Sequence, residues 1–180
     1  MYQPHHIDPK TATLVDVGYT ARPIYCSAGF KRTLDFCASL SLLILVMPLI
    51  LIFWLAVRRD GGPGFYAQDR IGRNGKIFSC WKLRSMCVNA EDMLTEHLVC
   101  NADAAMEWRM GQKLSADPRV TRVGRFIRRY SIDELPQLWN VVIGQMSLIG
   151  PRPVREAELT RYGANRTSYL SQRPGISGLW

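Results

Sequence analysis

From Phe36 to Val57 the chain runs FCASLSLLILVMPLILIFWLAV without one charged side chain. About 20 consecutive apolar residues carry a helix across a bilayer core, so this stretch is first of all a membrane segment. A cleavable leader fits poorly. The run starts well inside the chain, lacks a small-residue cleavage pattern, and is followed by Arg58 and Arg59. Pro48 near its middle removes a backbone hydrogen bond and crowds the carbonyl four residues back. Each arm is then only about 14–18 Å long, roughly half the bilayer core. Lys31 and Arg32 precede the run, and basic flanks prefer the cytoplasmic face. A re-entrant helix broken at Pro48, entering and leaving through one leaflet, keeps both basic pairs on that face. A kinked transmembrane span and a buried soluble helix are the less favoured forms. Each flanking cation adds about 1 kcal/mol of attraction to anionic lipid.

The rest of the chain can build one domain: 180 residues, 47% of them hydrophobic, exclude wholesale disorder and two full domains. A net charge of +8 favours a phosphate-rich partner, whether nucleic acid, anionic membrane or phosphorylated substrate. Cys26, Cys37, Cys80, Cys87 and Cys100 form no C-x-x-C pair, and His5, His6 and His97 offer no zinc spacing beside them. They read as free thiols in a reducing compartment.

Residues 1–30 show no sustained periodicity and read as a flexible N-terminal arm. Asp60-Gly61-Gly62-Pro63-Gly64 is a sharp exit turn after the membrane segment of residues 31–59. GFYAQDRIG and IFSCWKLRSM flank Arg73-Asn74-Gly75-Lys76, which predicts a β-hairpin on an Asn-Gly turn. Strand alternation places Phe78, Cys80, Lys82 and Arg84 on one face, so Lys82 and Arg84 point the same way. NAEDMLTEHLV and Ala104–Gln112 read as helices, and Asp117-Pro118-Arg119 breaks the chain.

The densest motif is Ser131-Ile132-Asp133-Glu134-Leu135-Pro136. Proline is comfortable in a helix only in its first turn, so a helix is expected to begin around Ile132–Asp133 with Leu135, Leu138, Trp139 and Val142 on its apolar face. The positive end of its dipole would keep both acids ionised and draw phosphate near. Taken alone, Ser131…Glu134 reads more readily as a capping box than as chemistry. The surroundings shift the balance. Arg122, Arg125, Arg128 and Arg129 lie upstream, and Gly150-Pro151-Arg152-Pro153 presents a guanidinium suited to phosphate. Two adjacent acids can hold Mg²⁺, and one can attack phosphorus.

SIDELPQLWNVVIGQMSLIGPRPV, with KRTLDF before the apolar run, ADPRVTRVGRFIRR upstream of the motif, KLRSM after the hairpin and RPGISGLW at the end, resembles the bacterial sugar transferases over about residues 30–180. These are monotopic polyprenyl-phosphate glycosyl-1-phosphate transferases, and the likeness is to the exopolysaccharide-initiating type. The resemblance implies transfer of sugar-1-phosphate from a UDP-sugar to undecaprenyl phosphate with release of UMP, galactose being preferred over glucose. It implies Asp133 as the nucleophile of a covalent phospho-sugar intermediate and Glu134 as the Mg²⁺ ligand. Lys82, Arg128 and Arg152 are implied phosphate and nucleotide contacts, with Arg84 beside Lys82. It implies a re-entrant helix at the cytoplasmic face of a bacterial inner membrane.

The expected architecture is α+β: a re-entrant membrane helix, a small sheet containing the hairpin, and amphipathic interfacial helices, with residues 60–180 as the catalytic domain. Where relatives commonly carry Ser before the helix proline this chain has Met47, and where they carry an acid before Met-Ser it has Gln145. Relatives usually continue past the GLW motif, so the domain is expected to lack the family's C-terminal portion. The alternative function is a non-catalytic scaffold of a polysaccharide assembly complex. Nucleic-acid binding has only charge in its favour and is not expected. Phe30, Trp108, Trp139 and Tyr169 suit core packing or a homo-oligomer interface equally well.

Overall fold

In the computed structural model, which describes residues 28–111 and 113–178, the apolar run lies within one helix, α1 (Ala28–Val57). The flexible arm expected over residues 1–30 lies outside the described residues up to residue 27. Pro48 does not interrupt α1, contrary to the expected break. It sits on the exposed side, where losing one backbone bond leaves the packed face untouched. That face is a single stripe of buried Asp35, Ser39, Leu43, Ile50 and Val57, at helical spacings of four and seven. Away from it, Ile44, Leu45 and Ile52 are 67%, 76% and 61% exposed. An uncovered apolar surface of that extent marks a membrane-facing or partner-facing side.

Both ends of α1 are tied to the same domain. At its start, Lys31 Nζ donates to Ser147 Oγ and to the Ile149 carbonyl, each at 2.9 Å. Arg32 donates to the carbonyls of Val141 and Val142 at 2.6 and 2.7 Å, satisfying groups a helix C-terminus leaves open. Buried Asp35 accepts from Ser147 Oγ at 2.7 Å and from the Leu148 amide at 3.2 Å. The charged residues of KRTLDF are therefore a docking clamp. At the far end, Arg84 donates to the Val57 carbonyl at 3.1 Å.

Beyond a 3-10 turn at Arg58–Asp60, strands β1 (Phe65–Ile71) and β2 (Ile77–Leu83) form the expected antiparallel hairpin. Asn74 and Gly75 at its turn take φ of 59° and 75°, the left-handed region that Asn and Gly tolerate. Helices α2 (Ala90–Cys100), α3 (Ala102–Gly111) and α4 (Arg122–Arg129) follow, then α5 (Gln137–Val142). Strand β3 (Ser147–Ile149) pairs in parallel with β4 (Gly175–Ser177), separated in sequence by α6 (Glu156–Leu159) and α7 (Arg166–Ser171).

The outer edge of β2 is met by one side chain. Asn140, fully buried, accepts from the Trp81 amide at 3.2 Å and donates to the Ser79 carbonyl at 2.9 Å. It stands in for a neighbouring strand and fixes α5 against the hairpin. Tyr169 is likewise buried, its hydroxyl donating to the Ile71 carbonyl at 2.8 Å, so it serves the core rather than an interface. Trp108 stacks under Arg119, whose guanidinium carbon is 5.1 Å from the ring centroid.

Helix α4 crosses β2's exit at close range. Thr121 caps it by accepting from the Gly124 amide at 2.8 Å. A β-carbon on Gly124 would collide with the Ser85 carbonyl oxygen, a backbone atom that cannot turn aside. Gly124→Ala is expected to destabilise the protein by roughly 1–3 kcal/mol, as overpacked cores do. Thermal unfolding checks this, at about 2–4 °C of Tm per kcal/mol.

Candidate active site

The expected capping box does not form. Ser131 has φ 55° and ψ 23°, a left-handed conformation costly for a residue with a β-carbon, and its side chain caps nothing. The chain then makes a 3-10 turn, Ile132–Glu134, and α5 begins only at Gln137, with Pro136 just ahead of it. The acidic pair thus sits on a tight turn before the helix rather than in its first turn. Strained backbone of this kind gathers at functional sites, and here it stands directly before the acidic pair.

Glu134 Oε1 accepts from Lys82 Nζ at 2.6 Å. A polar cavity of about 240 Å³ joins these two to Arg70, Cys80, Gln137 and Arg152. The structure therefore brings Lys82, Glu134 and Arg152 to one place. It adds two residues the sequence reading missed. Arg70 pairs with Phe78 across the hairpin, two positions along from Gln68 opposite Cys80, so it shares the face of Cys80 and Lys82. The register carried that signal. Gln137 is 3% exposed and lines the cavity, making no side-chain hydrogen bond to other described residues.

Asp133 is half-buried beside Glu134. Burial, reinforced by the Glu134 charge, pushes its carboxyl above the ordinary aspartate range, while the Lys82 and Arg128 charges pull the other way. Asp133 itself is not among the residues lining the Lys82 cavity. Arg128 also donates to Ser85 Oγ at 2.7 Å. Cys80 is buried, and burial pushes its thiol up, so it is a packing residue and no nucleophile.

Arg84 lies elsewhere. β2 ends at Leu83, and Arg84 is buried with its guanidinium on Asp60 Oδ2 at 2.7 Å and the Pro63 and Met86 carbonyls at 2.6 and 2.8 Å. Its donors hold the chain's exit from α1, which corrects its expected place at the phosphates. Hydrogen bonding from Arg84 in turn pushes the Asp60 carboxyl down to about 2.

Glu134 has a second neighbourhood. A cavity of about 620 Å³ on its other side is lined chiefly by apolar groups, among them Leu135, Leu138, Leu148, Ile149 and Ile176, with Leu42 of α1. Ile176 also lines the polar cavity, so the two hollows adjoin at Glu134 and Ile176. Trp139, expected on a buried helix face, is instead 49% exposed. With Trp81 and Phe65 it flanks a wholly apolar groove along Met47 of α1.

Residues 26–180 match the family model described as bacterial sugar transferase. The chain belongs to that family. Among curated relatives, an undecaprenyl-phosphate galactose phosphotransferase of Salmonella typhimurium is 50% identical over 86% of this chain and 32% of its own length. The exopolysaccharide production protein ExoY of Rhizobium meliloti is 47% identical over 83% of this chain and 67% of its own length. An undecaprenyl-phosphate glucose phosphotransferase of Komagataeibacter xylinus is 42% identical over 82% of this chain and 26% of its own length. The chain spans about a third of the Salmonella relative.

A divalent cation is a natural companion of such a donor set. Among the described residues no three His, Cys, Asp or Glu side chains gather into a metal cage. The adjacent carboxylates of Asp133 and Glu134 nonetheless suit Mg²⁺, which is usually held by one or two carboxylates with substrate phosphate and water completing its shell.

Proposed function

We propose that this sugar transferase moves sugar-1-phosphate from a UDP-sugar to undecaprenyl phosphate, releasing UMP, in the first membrane step of exopolysaccharide synthesis. The observation that carries the reading is Glu134 at the junction of two unlike hollows, one lined by Lys82, Arg70 and Arg152 and one apolar and bordered by α1. A charged soluble donor suits the first. A polyprenyl acceptor, with its head at the membrane surface, suits the second.

An Asp133 oxygen attacks the phosphorus bearing the sugar, and the bond to the UMP oxygen breaks, giving an aspartyl phospho-sugar. A phosphate oxygen of the acceptor then attacks that phosphorus, the Asp133 bond breaks, and the carboxylate is restored. Lys82, Arg70 and Arg152 balance diphosphate charge throughout. Mg²⁺ held by Glu134 would supply further charge neutralisation.

The clamps at both ends of α1 support a monotopic seat on the cytoplasmic face of the inner membrane, with the unbroken helix lying along one leaflet instead of turning back at Pro48. Lys31, Arg32 and Asp35 at one end and Val57 at the other bind the same domain, so a span would carry one end away from its partners. Galactose is the preferred sugar, following the name of the Salmonella relative.

The test is UMP release by the full chain in lipid nanodiscs against a panel of UDP-sugars. Release is expected only with undecaprenyl phosphate present, fastest with UDP-galactose, and to fall at least tenfold on chelation and return with Mg²⁺. No release with any donor would sink the proposal.

A further inference from the structure

A separate hollow of about 340 Å³ lies between the hairpin turn and the loop after α5, sharing no lining residue with either cavity at Glu134. Arg73, Lys76 and Arg173 line it, and no acid does. None of the three belongs to an ion pair among the described residues. Arg173 donates to the Gly144 carbonyl at 2.9 Å. A fourth cation approaches from α1: a β-carbon on Gly144 would lie 3.2 Å from Arg32 Nη2. Burial and then the charges of Arg73 and Arg32 weigh against protonated Arg173, and only Asp35 favours it. Asp35 is itself engaged by Ser147 and the Leu148 amide.

Like charges gathered around one hollow repel unless an anion offsets them. Guanidinium forks match phosphate oxygens in pairs, which makes a phosphate ester the fitting ligand chemistry. Two further features select a lipid as its source. Ile77 and Ile143 in the lining are 63% and 47% exposed, giving the charged hollow an apolar rim. Arg32 belongs to the membrane helix just ahead of its apolar run.

We propose that this hollow binds the phosphodiester headgroup of an anionic membrane lipid, with its acyl chains running along Ile77, Ile143 and α1. Such a lipid would fix the hairpin turn and the start of α1 at headgroup depth. The proposal rests on α1 lying in the membrane and not on the chemistry at Asp133, because its readout is binding alone.

The experiment titrates the full chain in neutral detergent with dihexanoyl phosphatidylglycerol, dihexanoyl phosphatidylcholine and inorganic phosphate, followed by native mass spectrometry. Saturable phosphatidylglycerol binding is expected, at least tenfold tighter than either of the others and weakening with salt. Arg73→Gln with Lys76→Gln should weaken it about 30-fold, the loss of two cations at a headgroup. Arg73→Lys with Lys76→Arg should keep it. Both positions are exposed on a turn, so the Tm of each variant should match the parent. Equal binding of phosphatidylcholine, or an unaffected glutamine variant, would overturn the site. Inorganic phosphate binding as tightly as the lipid would overturn the lipid assignment, and loss in the conservative variant would overturn the charge argument.

Discussion

Asp133→Asn is expected to reduce UMP release by about 10⁴-fold or more, the scale seen when a nucleophile is removed from a catalytic unit. It should also abolish the protein-bound phospho-sugar detectable by intact-protein mass spectrometry with UDP-sugar alone. The substitution keeps the side chain's shape, and the Asp133 carboxylate makes no side-chain hydrogen bond to another described residue, so the fold should persist. Stability should rise slightly at neutral pH. Burial and Glu134 raise the folded-state pKa of Asp133. A raised carboxylate is stabilising below its unfolded pKa, and that contribution is lost as pH rises through the folded value. Ionised Asp133 therefore costs stability at pH 7, and Asn removes the cost. A small gain in Tm together with lost turnover is the mark of a site strained for function. Unchanged turnover would show that Asp133 is not the nucleophile.

What the sequence revealed was mostly local. Asn74-Gly75 announced the hairpin because few other dipeptides accept two positive φ angles, and the strands on either side followed at their expected places. The apolar run declared α1, but nothing in it showed that Lys31 and Asp35 would clamp to partners more than a hundred residues away, which meet them only when the chain folds. Strand alternation put Lys82 correctly on the face of Cys80, then failed one step beyond the strand. Arg84 had an acid to meet, and nothing local said that Asp60 would be it. Proline's preference for a first helical turn placed the start of α5 too early. It could not foresee that Ser131 would adopt a left-handed backbone and interpose a 3-10 turn. Arg70 was missed for want of the hairpin register.

The same separation of local from distant terms explains why the acidic pair was legible but its setting was not. Two neighbouring carboxylates are visible in any reading of Asp133-Glu134. That one of them touches Lys82 while bordering an apolar hollow depends on Asn140 holding α5 against β2. Asn140→Ala should therefore disturb the site from a distance, by releasing the strand edge that carries Lys82.

Lys82→Met carries the second large effect and separates charge from packing. Methionine keeps the length of the apolar stem but removes the ammonium bound to Glu134 at 2.6 Å. Two consequences follow for Asp133. The Lys82 charge no longer draws its pKa down, and Glu134, now unpaired, repels its ionised form more strongly. The nucleophile must be ionised, so activity rises with pH through the Asp133 pKa, and the acid limb of the kcat/KM profile should move to higher pH. Loss of a cation facing the diphosphate should add a fall of about 10²–10³-fold in kcat on the plateau. Lys82→Arg restores the charge without the compact ammonium, so the acid limb should return towards the parent position while kcat recovers only in part. The ion pair is more than a third exposed on the Glu134 side, so neither variant should shift Tm appreciably. A limb unmoved in Lys82→Met would show that Lys82 does not act on Asp133, whatever happened to the plateau.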